Sequence, residues 1–151
     1  VGNGNTFYRD LTGLGDIKPA LMVLSEQVGM RLRKHSLYAN GVQITIKNPA
    51  LVSFTRQCRI ASTNVSDNIY RTALELLVKN WNVKMPIRAL TVTALDLSED
   101  KRAQQINLFE QNAVQDDSKK ENLQKALDSI KQKYGKNAVQ NASVMKTDLF
   151  K

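Results

Sequence analysis

The order of strand-like and helix-like stretches in residues 1–97 constrains the fold more than any other feature of this sequence. Four stretches are rich in β-branched and aromatic residues with alternating polarity, and they cover residues 6–11, 42–47, 53–62 and 87–95. Two stretches between them repeat apolar residues at helical spacing: Ile17, Leu21, Leu24, Val28 and Leu32 in the first; Ile69, Ala73, Leu76, Leu77 and Trp81 in the second. The order β-α-β-β-α-β predicts an α+β fold, a split βαβ arrangement in which a four-stranded antiparallel sheet carries both helices on one face.

Local signals set the expected ends of these elements. Residues 2–5 are rich in Gly and Asn and predict a turn, as do Asn40 and Gly41. Asp16 is a natural N-cap for the first helix, which we expect to end near His35. Residues 63–67 supply capping side chains for the second helix.

Each predicted strand has one apolar parity for the helices and one polar parity that stays open. The open face should display hydroxyls, amides and cations: Gln43, Thr45, Lys47, Thr55, Gln57, Arg59, Thr91 and Thr93. Such groups suit a surface that lies against a sugar-phosphate backbone.

Two arginines, Arg56 and Arg59, lie within four positions of the third strand. Guanidinium groups offer phosphates a rigid fork of donors, although charges on an edge strand also serve simply to discourage aggregation. Strict alternation puts Arg56 on the helix-facing side with Phe54. Either the strand bulges there, or Arg56 emerges at its edge.

The charge is uneven along the chain. Residues 1–97 hold 12 Lys and Arg against 6 Asp and Glu, a net of +6 out of the total of +8. A basic domain with a pI near 9.7 favours a polyanionic partner, nucleic acid first and an anionic membrane surface second. No apolar run approaches the ~20 residues of a membrane span, so we expect a protein that does not enter the membrane.

The chain opens at Val1 without a signal peptide, and we expect it to be a piece of a larger polypeptide. The single Cys58 cannot form an internal disulfide, which fits a reducing cytoplasm, and its parity indicates a small core residue. His35 has no second ligand at metal spacing, so no metal site is expected.

After residue 97 the composition changes. Residues 98–117 form a charged linker with an apolar island at 105–109, and residues 118–151 begin with a third amphipathic helix that we expect to be separate. Its apolar stripe is Leu123, Leu127, Ile130 and Tyr134, with Gly135 at the C-cap. The pattern leaves open whether this helix folds back on the domain or serves a partner.

Several stretches, in this order and spacing, resemble the little-finger domain of Y-family translesion DNA polymerases, in the DNA polymerase IV-like branch of Gram-positive bacteria. They are Thr6–Leu11, Ser53–Gln57, and Asn80 with Trp81 followed by Pro86–Arg88. The resemblance covers Gly2 to about Leu97 and continues loosely through the tail. It implies the same β-α-β-β-α-β layout and a monomeric domain that lies in the major groove of primer–template DNA and holds both backbones.

Carried over by position, the resemblance implies phosphate contacts from five cations: Arg9, Lys47, Arg56, Arg59 and Arg88. Gln43, Thr45 and Gln57 would supply neutral donors. These contacts position the duplex without reading bases, as a polymerase that must accept any sequence requires.

The island at 105–109 resembles the short peptide by which bacterial polymerases bind the sliding clamp. Leu108 and Phe109 would anchor in an apolar pocket while Gln105 forms a hydrogen bond at its rim. Ile106 and Asn107 depart mildly from the common form of that peptide.

The polymerase active site is not expected in this chain, because phosphoryl transfer needs carboxylates that converge on two metal ions. The carboxylates of residues 1–97 are scattered over different elements: Asp10, Asp16, Glu26, Asp67, Glu75 and Asp96. Mg²⁺ is therefore expected only in a catalytic domain of the parent polymerase, and the fragment alone should be inactive.

Two other functions compete with DNA binding. The chain could be a protein-interaction module whose tail peptide is the function and whose basic sheet is incidental. An RNA-binding sheet would need stacking aromatics on its two central strands, expected here to be the first and third, where Phe7 is the candidate.

Overall fold

The computed structural model describes residues 1–99, 111–135 and Val139. It contains the six predicted elements followed by a long third helix: β1 (Gly2–Leu11), α1 (Leu14–Lys34), β2 (Ala39–Lys47), β3 (Ser53–Thr63), α2 (Ser66–Asn80), β4 (Ile87–Leu95) and α3 (Gln111–Tyr134). The predicted α+β class and the β-α-β-β-α-β order are confirmed.

The four strands form one antiparallel sheet in the order β1-β4-β2-β3. Since β4 lies between β1 and β2, and β2 lies between β3 and β4, each of α1 and α2 connects two parallel strands with a third strand between them. Both units are therefore split βαβ motifs. The expectation that the first and third strands are central is wrong, because β1 and β3 are the two edges.

The core lies between this sheet and the two helices, with α1 against β1 and β4 and α2 against β2 and β3. The predicted α1 stripe is completely buried, as are Ile69, Ala73 and Leu77 of α2, whereas Leu76 and Trp81 are half-buried. From the sheet, the buried residues include Val42, Ile44, Ile46, Leu90 and Val92. Each such Leu or Ile stabilises the fold by roughly 1.5–3 kcal/mol relative to exposure.

Three predicted boundaries in residues 1–97 are wrong. Residues 2–5 belong to β1 instead of a turn, and Asn40 and Gly41 belong to β2. Asp16 lies in the first turn of α1, where it accepts a 3.0 Å hydrogen bond from the Thr12 backbone N–H, while Gly13 is the N-cap with φ of 74°. Asn40 is buried, and its side-chain amide donates to the Asp96 carbonyl at 2.7 Å. This hydrogen bond joins β2 to the end of β4.

Helix α3 starts at Gln111, seven residues before the predicted start, and it packs on the α1–α2 side of the domain. The described contacts are mainly polar, and one is an ion pair between Arg33 of α1 and Asp128 of α3. The sequence left two places open for this helix. The structure supports the first, in which it folds back on the domain.

The close approach of α1 and α2 depends on Gly29. A Cβ at this position would lie 2.2 Å from Ser66 Oγ and 3.2 Å from the Ser66 Cα, so backbone as well as side chain would have to move. We expect Gly29→Ala to lower the free energy of unfolding by about 1–3 kcal/mol, the usual cost of overpacking. Urea denaturation measures it.

The matched control is Gly15→Ala in the first turn of the same helix, where nothing lies within 4 Å of an added Cβ. This variant should gain about 0.4–1 kcal/mol from reduced entropy of the unfolded chain. Equal effects of the two variants would show that close packing at Gly29 does not constrain the helix pair.

Candidate nucleic-acid interface

The strand register arranges the open face of the sheet in three rows of small polar residues. The first row is Gly2, Thr93, Gln43 and Gln57; the second is Gly4, Thr91, Thr45 and Thr55; the third is Thr6, Ala89, Lys47 and Ser53. A further row, Leu95, Gly41 and Arg59, closes one end. None of these positions holds a carboxylate, so the face is neutral to positive.

The opposite parity of the same strands faces the helices. In register these rows are Ala94, Val42 and Cys58; Val92, Ile44 and Arg56; and Leu90, Ile46 and Phe54. Since these β2 and β4 side chains are buried, the sheet cannot turn over without losing its core. The predicted division into an apolar and an open polar face is confirmed.

The two cations of the open face lie at its two ends. Arg59 is exposed and pairs with Gly41, whereas Lys47 is half-buried and pairs with Ser53 and Ala89. Gly41 and Lys47 are six residues apart on β2, which places these rows about 20 Å apart. Within the described ranges, no hydrogen bond or ion pair engages either cation, so both charges are available to a ligand.

The middle of the face is shallow because its side chains are short. Thr45 and Thr55 hydroxyls lie 3.2 Å apart across β2 and β3. At the β1 edge, a Cβ on Gly4 would come within 2.2 Å of Thr91 Oγ1, so glycine lets β1 pair closely there. A depression runs over this region, lined by Gly4, Asn5, Thr6, Thr45, Lys47, Ser53, Ala89 and Thr91.

Arg56 lies on the other side of the sheet. The β2–β3 register is continuous from Gly41 to Lys47, so the strand has no bulge at this position, and Arg56 pairs with the buried Ile44. Its guanidinium stacks 4.0 Å above the Phe54 ring and donates to the Thr55 carbonyl at 2.8 Å. Of the two alternatives in the sequence, the edge is right and the bulge is wrong.

Arg9 is engaged within the domain. Its guanidinium donates to both carboxylate oxygens of Asp16, at 2.7 and 3.1 Å, and so joins β1 to α1. These hydrogen bonds from Arg9 are the largest influence on Asp16 and lower the pKa of its carboxyl, against the opposing effect of burial. Arg9 is therefore accounted for by a structural role, and its contact with phosphate stays a prediction.

Arg88 is exposed at the start of β4, next to the row that holds Lys47.

Phe7 is only 3% exposed on the core side, so the RNA-binding alternative loses its stacking candidate. Cys58 is half-buried, and burial, with a smaller effect of Glu75, raises the pKa of its thiol. A raised thiol pKa opposes reactivity and agrees with a packing role.

The sequence missed the β1 half of the face. Gly2, Gly4 and Thr6 belong to the rows, and the alternation of Gly and Asn in residues 2–5 was the signal. The helix-facing Asn3 confirms that period, since its amide donates to Gln27 of α1. Tyr8, largely exposed on β1, was also missed.

Other predictions concern different parts of the chain. Gln105, Ile106, Leu108 and Phe109 lie outside the described residues. In the part of the chain that the structure covers, no three His, Cys, Asp or Glu side chains cluster as metal ligands would. None of the described helices is long and apolar enough to cross a membrane.

Comparison with known proteins identifies the family. Residues 1–108 match the model of the impB/mucB/samB family C-terminal domain. The DNA polymerase IV of Clostridium kluyveri is 34% identical over 152 residues, which cover 97% of this chain and 38% of that protein. The DNA polymerase IV of Acetivibrio thermocellus is 38% identical over 136 residues, covering 89% of this chain and 34% of the relative.

The fold also matches a solved structure described as a complex of the β-clamp processivity factor and the little finger domain of DNA polymerase IV. The TM-score is 0.53 at 17% identity, and the match covers 72% of this chain and 96% of that one. The resemblance to the little-finger domain is thus confirmed. The chain belongs to the impB/mucB/samB family and corresponds to its C-terminal, little-finger domain, a little over a third of the length of the relatives it matches.

Proposed function

We propose that this domain binds the backbone of duplex DNA without sequence preference and holds the primer–template for a translesion DNA polymerase. The observation that carries the proposal is the open face of the sheet. Its rows hold no carboxylate, and they carry Lys47 at one end and Arg59 at the other. Hydroxyls, amides and cations are the groups that proteins use to contact phosphate and sugar oxygens.

The dimensions of the face favour a duplex. Four strands span about 14 Å and the two cation rows are about 20 Å apart, while the major groove of B-DNA is about 12 Å wide. A face of this size can lie across the groove and contact the phosphates on both sides. Arg56 and Arg88 would reach the backbone only from the margins of the face.

The shortness of the side chains favours backbone contact over base recognition. None of the positions in the three rows carries an aromatic ring, and the exposed Tyr8 lies on β1 outside them. One exposed ring does not offer the successive stacking positions that single-strand binding commonly requires. Nor does the face present an element that projects into a groove. Binding would therefore be electrostatic and independent of sequence.

The chemical step would belong to the rest of the parent polypeptide. The described carboxylates do not form a metal cluster, and the DNA polymerase IV relatives are more than twice as long as this chain. Mg²⁺-dependent nucleotide transfer is accordingly proposed for the parent in the cytoplasm, with this domain as a monomeric DNA-holding part.

We also propose that residues 105–109 tether the polymerase to the bacterial sliding clamp. The support is the sequence Gln-Ile-Asn-Leu-Phe at the end of the region that matches the family model, together with a structural neighbour whose description names a β-clamp complex. The competing function, a protein-interaction module alone, shares this tether but not the DNA-binding face.

Removal of one cation tests the DNA-binding proposal. The log of the affinity for a duplex should fall linearly with the log of the salt concentration, and Arg59→Ala should reduce the slope by about 0.9, the contribution of one phosphate contact. Fluorescence anisotropy with a labelled duplex measures both quantities. Lys47→Ala should act similarly.

Arg71→Ala is the matched control. Arg71 is exposed on α2, where it pairs with Asp67, so its removal changes the net charge equally but leaves the open face intact. If Arg59→Ala and Arg71→Ala change the slope by the same amount, general charge and not the open face governs binding.

Substitution of the peptide tests the tether. Leu108→Ala combined with Phe109→Ala should abolish capture by an immobilised bacterial sliding clamp, because both apolar anchors are lost. Duplex affinity should not change. Asn107→Ala, between the anchors, is the control that should retain capture; retention by the double variant would refute the tether.

A further inference from the structure

Arg33 is a buried arginine whose fork of donors points at α3. Its side chain is 2% exposed, and Nη1 donates to the Asn64 carbonyl at 2.8 Å and to Ser66 Oγ at 3.1 Å. The remaining donors, Nε and Nη2, bind the two carboxylate oxygens of Asp128 at 2.6 and 3.0 Å. The α1–α2 side therefore holds a bidentate carboxylate site whose arginine is anchored by Asn64 and Ser66.

A second carboxylate site lies beside the first. Tyr38 Oη and Asn64 Nδ2 each donate to Glu121 Oε1 at 3.1 Å. Tyr38 is itself fixed by a backbone bridge to Ser98. Burial opposes ionisation of Glu121, but hydrogen bonds from Asn64, Lys125 and Tyr38 prevail and lower the pKa of its carboxyl.

The two sites are spaced to receive two carboxylates on one face of a helix. Glu121 and Asp128 are seven residues apart, which is two turns and about 10.5 Å along one helix face. Apart from Lys125 of α3 itself, the donors that receive them lie between Arg33 and Asn64, within residues 1–108 that match the family model, whereas both carboxylates come after residue 108. The receiving surface is thus built by the domain itself.

Helix α3 adds little apolar contact to these polar ones. Of its predicted apolar stripe, Leu123 is 59% and Tyr134 68% exposed, Ile130 is also exposed, and only Leu127 is half-buried. Two further ion pairs hold the helix, Lys131 with Glu26 and Lys120 with Asp67, and Leu127 lines a cavity together with Met22 and Tyr70. Salt weakens the more exposed of these ion pairs, such as that of Lys120 with Asp67, and a competing helix that supplies two carboxylates can replace α3 on the buried donors.

We propose that the α1–α2 side of the domain is a receptor for a helix with two carboxylates seven residues apart, occupied in cis by α3. A partner protein with an acidic helix of the same spacing would bind there by displacing α3. This surface is on the opposite side of the sheet from the proposed DNA-binding face, so the two functions can fail independently.

A synthetic peptide of residues 111–135 serves as the probe, and the 151-residue chain with Glu121→Gln and Asp128→Asn is the receptor. The receptor keeps its donors but has weakened its own occupant. We expect it to bind the peptide at least tenfold more tightly than the wild-type chain does, by isothermal titration calorimetry. Equal affinity of both chains for the peptide would overturn the proposal.

A second peptide preserves composition and charge but changes the spacing. Asp128→Ser with Ser129→Asp moves the second carboxylate from seven to eight residues after Glu121. This peptide should bind the same receptor at least tenfold more weakly. Similar affinity of the two peptides would show that the surface attracts acidic helices without reading their spacing, and would overturn the inference.

Hydrogen exchange of the unsubstituted chain covers the case in which the receptor variant fails to fold. When salt is raised from about 0.05 to 0.5 M, the screening length falls severalfold, and amides of α3 should exchange at least fivefold faster while those of α1 do not change. The synthetic peptide of residues 111–135, added at low salt, should likewise speed the exchange of α3 amides and leave those of α1 unchanged. Protection of α3 that does not depend on salt or peptide would refute an exchangeable occupant.

Discussion

The burial of one parity of β2 and β4 beneath α1 and α2 is the constraint on which the rest of the structure depends. Once Val42, Ile44, Leu90 and Val92 enter the core, their neighbours in sequence must point the other way. The open face is therefore a consequence of core formation and needs no separate stabilisation. Since core packing does not restrict the polar side chains of this face, their identities can suit a ligand.

The sequence predicted this division well because it depends on periods that short segments already contain. The α1 stripe and the alternation in β2 and β4 fix which side chains are buried, and Arg59 follows from the same alternation. Strand order is a different kind of property. It depends on which strands meet after the helices cross the sheet, so the expectation that β1 and β3 are central was wrong.

The remaining errors arise where long-range contacts override local composition. Asn40, Gly41 and the Gly-Asn repeat at residues 2–5 have the composition of turns, but tertiary contacts hold them in strands. For Arg56, the alternation of residues in β3 predicted the helix-facing side of the strand. The continuous β2–β3 register that excludes a bulge became visible only in the structure. The outward stripe of α3 was unpredictable, because a few ion pairs, and not its apolar residues, orient that helix.

The position of β4 between β1 and β2 has a consequence for how the chain folds. Gly2 pairs with Thr93, so β1 has no partner in the sheet until nearly the whole domain has been synthesised. Contacts between residues so distant in sequence close large loops and make folding slow. The hairpin of β2 and β3 can pair as soon as both strands have been synthesised, whereas β4 comes last in the chain and pairs with both β1 and β2.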